Sequence, residues 1–397
     1  MMKRATRILG LALAVMLLAA GGATAGQTYA VTEEEYALLQ RYKRLEEIKM
    51  IIDTEFLFEY DEDRLLEGMA QGMLGVLGDD YTYYINSEDT AVENEKVTGV
   101  YCGVGIEVSP NANDMTITIR RVFHGGPAQK AGILPGDKII AVNGTEYNAY
   151  ELNEAISIMR GEKGGEVTLG ILRDREYMEF VCIRDFVETE IISSEILGDQ
   201  IGYIKIYEFE GNAIAQFSNI IQDFLENDIQ GIVMDLRGNL GGMVDLAIDI
   251  AGVFIEDGNI IMAEEDKYGR VYPIYAKDRA WDIPLVLLVD EFTCSSAEIL
   301  AAALQENGVA PLVGTKTFGK GIMQVVHPFY NDGASMHITS GYWLTPKGNK
   351  IHKEGIGPDV VVELAEDAID ENHEIIREKD NQLQKAIEVL KQKIEGK

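Results

Sequence analysis

Three short stretches carry residue types that could do chemistry together. The first surrounds Ser295. The stretch Pro284-Leu-Val-Leu-Leu-Val-Asp290 is apolar nearly throughout, which suits an interior strand, and helix-forming residues begin at Ala297. Ser295 thus falls where such a strand delivers the chain to a helix N-terminus, whose free N–H groups and dipole favour negative charge. A serine that attacks a carbonyl needs that setting, because an oxyanion forms beside it and backbone donors stabilise it. A plainer role fits the same residues. Ser295 with Glu298 matches a capping box, which satisfies N–H groups and catalyses nothing. Cys294 is a rival nucleophile, with a small buried thiol as its alternative role.

The second stretch is Phe318-Gly-Lys-Gly-Ile-Met-Gln324. A lysine acts as a general base only when neutral, and its usual pKa is about 10.4. Burial can lower that by ~3 units. Flanking glycines would let the backbone approach closely and draw the Lys320 stem inside. In a flat strand Lys320 and Gln324 would stand ~13 Å apart. In one helical turn they would be neighbours, and the Gln324 amide oxygen could orient the amine. The glycine pair favours the turn. A surface lysine in a glycine loop is the alternative, and Lys316, between Thr315 and Thr317 in what reads as an exposed strand, competes with Lys320.

The third stretch is Asp235-Leu-Arg-Gly-Asn-Leu-Gly-Gly242. It follows the apolar run Gly231 to Met234, and α/β sheets bind ligands at the carboxyl ends of such strands. Gly241 and Gly242 could offer N–H groups to a bound carbonyl. Asp235 and Arg237 read more readily as a structural ion pair than as catalysts.

The elements that must position these stretches fall into blocks. From Thr32 to about Asp89 the apolar spacing is helical: Leu38, Leu39, Tyr42, Leu45, Ile48 and Ile52, then Leu65, Met69, Met73 and Leu77, with Gly78 as the stop. Residues 97–185 alternate short β-type runs (Val104 to Val108, Met115 to Val122, Lys138 to Val142, Val167 to Leu172, Glu179 to Ile183) with turns and one helix, Tyr150 to Met159. That is a small α+β module. From Ile201 to about Leu364 the pattern is α/β. Ile201 to Ile206, Gly231 to Asp235 and Pro284 to Asp290 are β-rich, and each precedes a helical stretch: Ala213 to Leu225, Val244 to Phe254, Ser296 to Glu306. A sheet covered on its faces and at least partly parallel follows. The charged tail from Glu366 places Ile375, Leu383, Ala386, Ile387 and Leu390 at helical spacing, which reads as a peripheral helix.

Composition narrows the function. The chain has 397 residues, 46% apolar and 25% charged, with 35 Lys and Arg against 66 Asp and Glu, for a net charge of -31. So acidic a chain repels phosphate backbones, which excludes a nucleic-acid role. Three Cys residues fit neither a disulfide framework nor a zinc site, and five scattered His residues include no HExxH pair. Lys3, Arg4 and Arg7 precede the apolar run Ile8 to Ala20, and Ala23-Thr-Ala25 supplies a cleavage pattern. That is the form of a secretory signal over residues 1–25, with an uncleaved membrane anchor as the alternative.

Taken in order, these stretches resemble the carboxyl-terminal processing proteases, PDZ-containing serine proteases of the peptidase S41 family with a Ser–Lys dyad. Gly72-Met-Leu74 with Leu77-Gly-Asp-Asp-Tyr-Thr-Tyr-Tyr84 resembles the family's N-terminal helical segment. Gly125-Gly-Pro-Ala-Gln-Lys-Ala-Gly-Ile-Leu-Pro-Gly-Asp-Lys-Ile-Ile-Ala-Val-Asn-Gly144 is very like a PDZ domain. Asp235 to Gly242, Lys316 to Gln324, and Tyr342-Trp-Leu-Thr-Pro-Lys-Gly348 with Gly355-Ile-Gly-Pro-Asp359 resemble the protease core. The fold implied is multidomain, α/β and α+β. It has an N-terminal helical region over residues 26–93, a PDZ domain over 94–185, an α/β protease core of the ClpP/crotonase type over 186–365, and a C-terminal helical tail over 366–397.

The resemblance implies Ser295 as nucleophile, Lys320 as general base and Gln324 as its support, with the N–H groups of Gly241 and Ser296 as oxyanion donors. Gly103, Val104, Gly105, Ile106, Glu107 and Val108 would be the loop and strand that bind a peptide carboxylate. No metal or organic cofactor is implied. The expected partners are protein or peptide substrates with flexible C-termini, bound by an exported enzyme, and the N-terminal and C-terminal helices are candidate surfaces for a homodimer or for docking on the core. One departure matters. Thr293-Cys-Ser-Ser-Ala-Glu-Ile299 stands where the family usually has Ser-Ala-Ser-Ala-Ser-Glu-Ile, and Ser296 lands on an alanine position. A catalytically impaired peptide-binding adaptor is therefore the rival expectation.

Overall fold

The computed structural model describes residues 32–98, 100–111, 114–123, 125–188, 191–277, 280–370 and 375–396. The signal expected over residues 1–25 lies outside them. Among the described residues no helix is long and apolar enough to cross a membrane. The chain divides into two compact units, one ending at Gly68 and the other starting at Met69.

The first unit is built on the helix Glu33–Glu55. Thr32 caps it: its hydroxyl accepts the Glu35 N–H while Glu35 Oε2 accepts the Thr32 N–H. No residue of this helix, nor of the helix Glu62–Gly75, is buried. The second helix ends at Gly75, three residues before the Gly78 expected to stop it.

In the second unit the α+β module follows the sequence expectation closely. Its sheet is formed by Ile106–Pro110, Ile117–Val122, Lys138–Val142, Glu166–Arg173 and Glu176–Ile183 in that spatial order, with Thr145–Glu146 paired to Lys138–Val142. The helix Leu152–Met159 turns Ala155 and Met159 inward. The strand Asp185–Glu188 returns to pair antiparallel with Val100–Gly103, so entry to and exit from the module run side by side.

The α/β block forms a six-stranded sheet in the order Ile192–Leu197, Ile201–Ile206, Gly231–Asp235, Leu285–Val289, Leu312–Gly314, Val360–Val361. All its pairs are parallel except the first. Alternate side chains of one strand reach opposite faces. Leu285, Leu287 and Val289 join the core beneath the helices Ala213–Glu226, Val244–Gly252 and Ser296–Glu306, while Val286 and Leu288 face Leu383, Ala386 and Leu390. Those three lie on the C-terminal helix Asn381–Glu395. The tail helix is therefore a structural layer on the sheet, not a peripheral appendage, and Ile375 lies outside it. Burial on both faces is why these strands are apolar without alternation.

A second sheet was not legible in the sequence. The hairpin Ile260–Asp266 with Val271–Tyr275, the hairpin Ile322–Pro328 with Ser335–Leu344, and Tyr83–Ile85 form five antiparallel strands.

Candidate active site

Two neighbouring parallel strands, Gly231–Asp235 and Leu285–Val289, end side by side, and the loops leaving them are stitched together. The Gly238 N–H donates to Asp290 Oδ1 at 3.0 Å, Thr293 Oγ1 donates to the Leu236 carbonyl at 3.0 Å, and the Cys294 N–H donates to the Asn239 carbonyl at 2.9 Å. The chain then enters the helix Ser296–Glu306 through Ser295, which has φ 57° and ψ -121°. An ordinary N-cap residue is extended. A non-glycine residue held at positive φ stores strain that surrounding contacts must impose. Of the capping box expected of Ser295 and Glu298, the carboxylate half is present: Glu298 accepts the Ser295 N–H, whereas the Glu298 N–H donates to the Ser295 carbonyl at 2.9 Å, and the backbone at Ser295 is not that of a simple cap.

Gly241 packs directly on this turn. A Cβ there would lie 2.8 Å from Ser295 Cβ and 3.1 Å from the Ser296 nitrogen, and its φ is +105°, so only glycine fits. The sequence-predicted oxyanion pair therefore does meet at Ser295. Ser296 opens the helix, where its N–H has no intrahelical acceptor. The Gly241 N–H, however, donates to Asn239 Oδ1 at 2.8 Å, so this donor is engaged within its own loop. The Ser296 hydroxyl is fully buried and has no hydrogen-bond partner.

Lys320 reaches the same place from the other direction. Its segment is not the helical turn expected: Lys320 precedes the strand Ile322–Pro328, and Gln324 lies in that strand just after a β-bulge. The glycines do what their spacing suggested. A Cβ on Gly319 would lie 2.8 Å from the Gly355 nitrogen, and one on Gly321 would lie 2.5 Å from the His352 nitrogen. Trp343 Nε1 donates to the Lys320 carbonyl at 2.9 Å. The amine sits over the Tyr81 ring, 5.0 Å from its centroid, and Gln324 Nε2 donates to the Tyr81 carbonyl at 2.8 Å. Gln324 therefore acts on Tyr81, and Tyr81 is the group beneath the amine. Burial holds the Lys320 amine below its usual range, with Cys294 opposing. Lys316 has no such setting, and the exposed strand expected around it is absent. The strand Leu312–Gly314 ends before it, and Thr317 is buried.

The residue that joins the two halves is Glu298, which the sequence signals only as a cap. Glu298 is fully buried. Its Oε2 accepts the N–H groups of Ser295 and Lys320, both at 2.9 Å, and its Oε1 accepts the Gly319 N–H at 2.7 Å and the Thr317 hydroxyl at 2.6 Å. Burial raises its pKa while these donors oppose the rise. Glu298→Gln keeps the shape but turns an NH2 group toward donors that need an acceptor. It is expected to destabilise the chain by roughly 1–3 kcal/mol, read by urea unfolding. Unchanged stability would mean that the carboxylate does not hold the two segments.

Asp235 and Arg237 are structural, as expected. Arg237 binds Asp235 (Nη2–Oδ2 2.6 Å), Asp380 (2.8 Å) and Gln382 (2.9 Å), tying the tail to the sheet. Cys294 is buried, and burial pushes its thiol up to about 11, which leaves it a neutral small group.

The predicted peptide loop borders a cavity of about 450 Å³. Val104, Ile106, Glu107 and Val108 line it from the module, with Ile156 and Met159 of the helix opposite, while Ile191, Tyr207 and Gly238 close the far side. Ile106–Pro110 is the edge strand of its sheet, so one row of backbone groups is open to pairing. Gly103 and Gly105 shape the loop beside it. Arg121 bridges the two walls: its Nε donates to Glu107 Oε2 at 2.7 Å, and its guanidinium lies 4.2 Å from the Tyr207 ring centroid.

Comparison with known proteins settles the family. The model of peptidase family S41 matches residues 200–362, that of the PDZ domain matches 94–172, and that of the N-terminal domain of the activating protease CtpB matches 16–89. The carboxy-terminal processing protease CtpA of Bacillus subtilis (strain 168) is 36% identical over 326 residues, covering 82% of this chain and 69% of that protein. The chain belongs to peptidase family S41. Within that family CtpB of the same organism is 32% identical over 347 residues, covering 85% of this chain and 71% of CtpB. A putative S41 protease from Bacteroides fragilis NCTC 9343 shares the fold, with a TM-score of 0.55 at 15% identity over 86% of this chain and 92% of that one. The α+β module is thus a PDZ domain, the α/β block an S41 core, and the chain a carboxy-terminal processing serine protease by family.

Proposed function

We propose that this S41 protease is an exported endopeptidase that captures protein C-termini in its PDZ groove and cleaves through an acyl-enzyme, with Ser295 as nucleophile and Lys320 as base. The observation that carries the proposal is the single carboxylate of Glu298, which accepts both the Ser295 and the Lys320 N–H. A substrate tail adds as a strand along Ile106–Pro110 with its carboxylate at the Gly103–Gly105 loop. Its scissile carbonyl lies against Ser295. The neutral amine of Lys320, swung off Tyr81, takes the hydroxyl proton as Oγ forms its bond to the carbonyl carbon. The oxyanion is met by the Ser296 N–H and, once it leaves Asn239, by that of Gly241. The leaving amine takes the proton, and water then releases the acyl group. Strain at the nucleophile turn supports this reading, since a serine at positive φ between a strand and a helix N-terminus is the arrangement of a nucleophile elbow.

Export rests on the basic, apolar and Ala-Thr-Ala segments of residues 1–25, which would hold the enzyme at a membrane if uncleaved. The apolar residues exposed on Glu33–Glu55 and Glu62–Gly75, among them Ile51 and Met73, fit a second copy of the chain.

The test is incubation of the chain from residue 26 with an unstructured protein ending in small apolar residues, followed by mass spectrometry of the products. Shortened substrate with defined new C-termini is expected. A substrate that persists intact would leave only a peptide-binding adaptor.

A further inference from the structure

A residue outside the three chemical stretches decides where the base rests. Tyr81 stands just before the strand Tyr83–Ile85, which pairs antiparallel with Ser335–Leu344. Its backbone is held from both sides. The Tyr81 N–H donates to Asp79 Oδ1 at 3.3 Å, and the Tyr81 carbonyl accepts Gln324 Nε2 at 2.8 Å. Asp79 is itself pinned, because its Oδ2 accepts the hydroxyls of Thr82 at 2.6 Å and Thr339 at 2.5 Å. The ring has a neighbour of its own: His352 packs against it in a T, with centroids 6.3 Å apart and planes at 68°. The ring is thus a fixed body, and the flexible partner in its contact with Lys320 is the lysine arm.

The Lys320 amine lies 5.0 Å from the ring centroid, within the ~6 Å over which a ring face attracts a cation. The other titratable groups around it come from three directions. Cys294 and Glu298 face it from the nucleophile turn and its helix, Asp79 and Asp80 belong to the Tyr81 segment, and His352, with Tyr342 beyond it, stands behind the ring. Among the described residues no carboxylate pairs with the amine. Glu298 spends its oxygens on N–H and hydroxyl donors, and Asp79 is spent on Tyr81, Thr82 and Thr339.

We propose that Tyr81 is a positioning residue for the base: its ring is a fixed seat for the protonated amine of Lys320, so that losing the proton and leaving the seat are one event. This rests on the reading of Lys320 as the base. A ring face attracts an ammonium through its quadrupole and has no such hold on a neutral amine. When the ammonium gives its proton to solvent water, the hold is lost and the arm is free to turn toward Ser295. The seat opposes the burial that favours the neutral amine, and it keeps the resting arm away from its work.

The experiment compares the full chain with its Tyr81→Leu and Tyr81→Phe variants. One reading is the pH profile of kcat on an unstructured substrate. The other is the titration of the Lys320 13Cε resonance in lysine-labelled protein, assigned by its loss in Lys320→Met. Leucine removes the ring face, so both midpoints are expected to fall by roughly 0.5 to 1 pH unit, and turnover below them to rise about 3- to 10-fold. Phenylalanine keeps the face and should leave both midpoints where the parent has them. A purely structural Tyr81 would lower turnover at every pH with the midpoints unmoved, and that result overturns the proposal. Midpoints that fall as far with phenylalanine would overturn it too, since the phenol oxygen and not the ring would then hold the amine. A 13Cε midpoint that falls while the rate profile stays put would instead overturn the reading of Lys320 as the base. One measurement needs no folded variant. In the parent at neutral pH the Lys320 Hε protons should resonate upfield of ordinary lysine under the ring current, and an ordinary position would mean an empty seat.

Discussion

Ser295→Ala is expected to lower turnover of an unstructured substrate by at least about 10⁴-fold, with unfolding free energy changed by no more than about 0.5 kcal/mol. The two halves follow from different atoms. Turnover falls because Oγ is the only atom removed and no neighbour can replace it. The Cys294 thiol is buried and held neutral, and the Ser296 hydroxyl is fully enclosed. Stability holds because the contacts that fix this turn do not use Oγ. Glu298 grips the Ser295 N–H, and Gly241 packs on Ser295 Cβ. Initial rates at saturating substrate, with urea unfolding of both proteins, check the pair. A variant retaining more than about a tenth of the parent rate would move the nucleophile to Ser296 or Cys294.

The contrast between what the sequence disclosed and what it hid has a physical cause. The PDZ strands and the helix Leu152–Met159 were legible because each short apolar run is closed by a turn residue, and the interior strands because both of their faces are buried. The second sheet was hidden because Val271–Tyr275 and the far half of Ile322–Pro328 are largely exposed, so their composition carries no core signal. Glu298 was hidden differently. Its partners Gly319 and Lys320 lie 21 and 22 residues away, and a helical glutamate after a serine already has a sufficient local explanation in the capping box. The capture of the Gly241 N–H did leave a trace. Asn239 stands two residues before Gly241, the spacing of an Asx turn, and weighing that turn would have warned that the donor is engaged.

Two features of the site share one logic. The Gly241 N–H is held by Asn239, and the Lys320 amine lies over Tyr81, so each group assigned to the reaction has a local partner while the framework beneath them, Glu298 and the stitched loops, is complete. On the proposed mechanism, the step to an active site is then a peptide flip at Gly241 and a side-chain rotation at Lys320 over that framework. The loop that must move, Asp235 to Gly242, contains Gly238, which also walls the PDZ groove. A peptide in that groove would therefore lie against the segment whose N–H the proposed mechanism turns.

Lys320→Met is expected to reduce turnover by roughly 10³-fold while leaving peptide binding in the PDZ groove intact, because methionine keeps the buried stem and removes only the base. The pH dependence sharpens the prediction. Burial depresses the amine, since the ammonium loses more hydration than the free base does. Activity of the parent enzyme should therefore climb with pH through a single ionisation below the usual ~10.4, and that limb should be missing from the residual activity of Lys320→Met. Stability must move in step. The folded chain releases this proton at a lower pH than the unfolded chain. Between the two pKa values the unfolded chain binds the extra proton, so stability rises with pH across that window. Below it the full penalty of burying an ammonium is present. Lys320→Met lacks that penalty and should be the more stable protein near neutral pH, with its advantage shrinking toward pH ~10.4. The ammonium's contact with the Tyr81 ring favours the charged form and works against burial, so it reduces the downward shift without reversing it. Thermal unfolding of both proteins at several pH values, beside their pH–rate profiles, reads the two consequences independently. A parent rate that is flat with pH, together with a stability difference that does not change, would mean that this lysine keeps its proton throughout and that the base lies elsewhere.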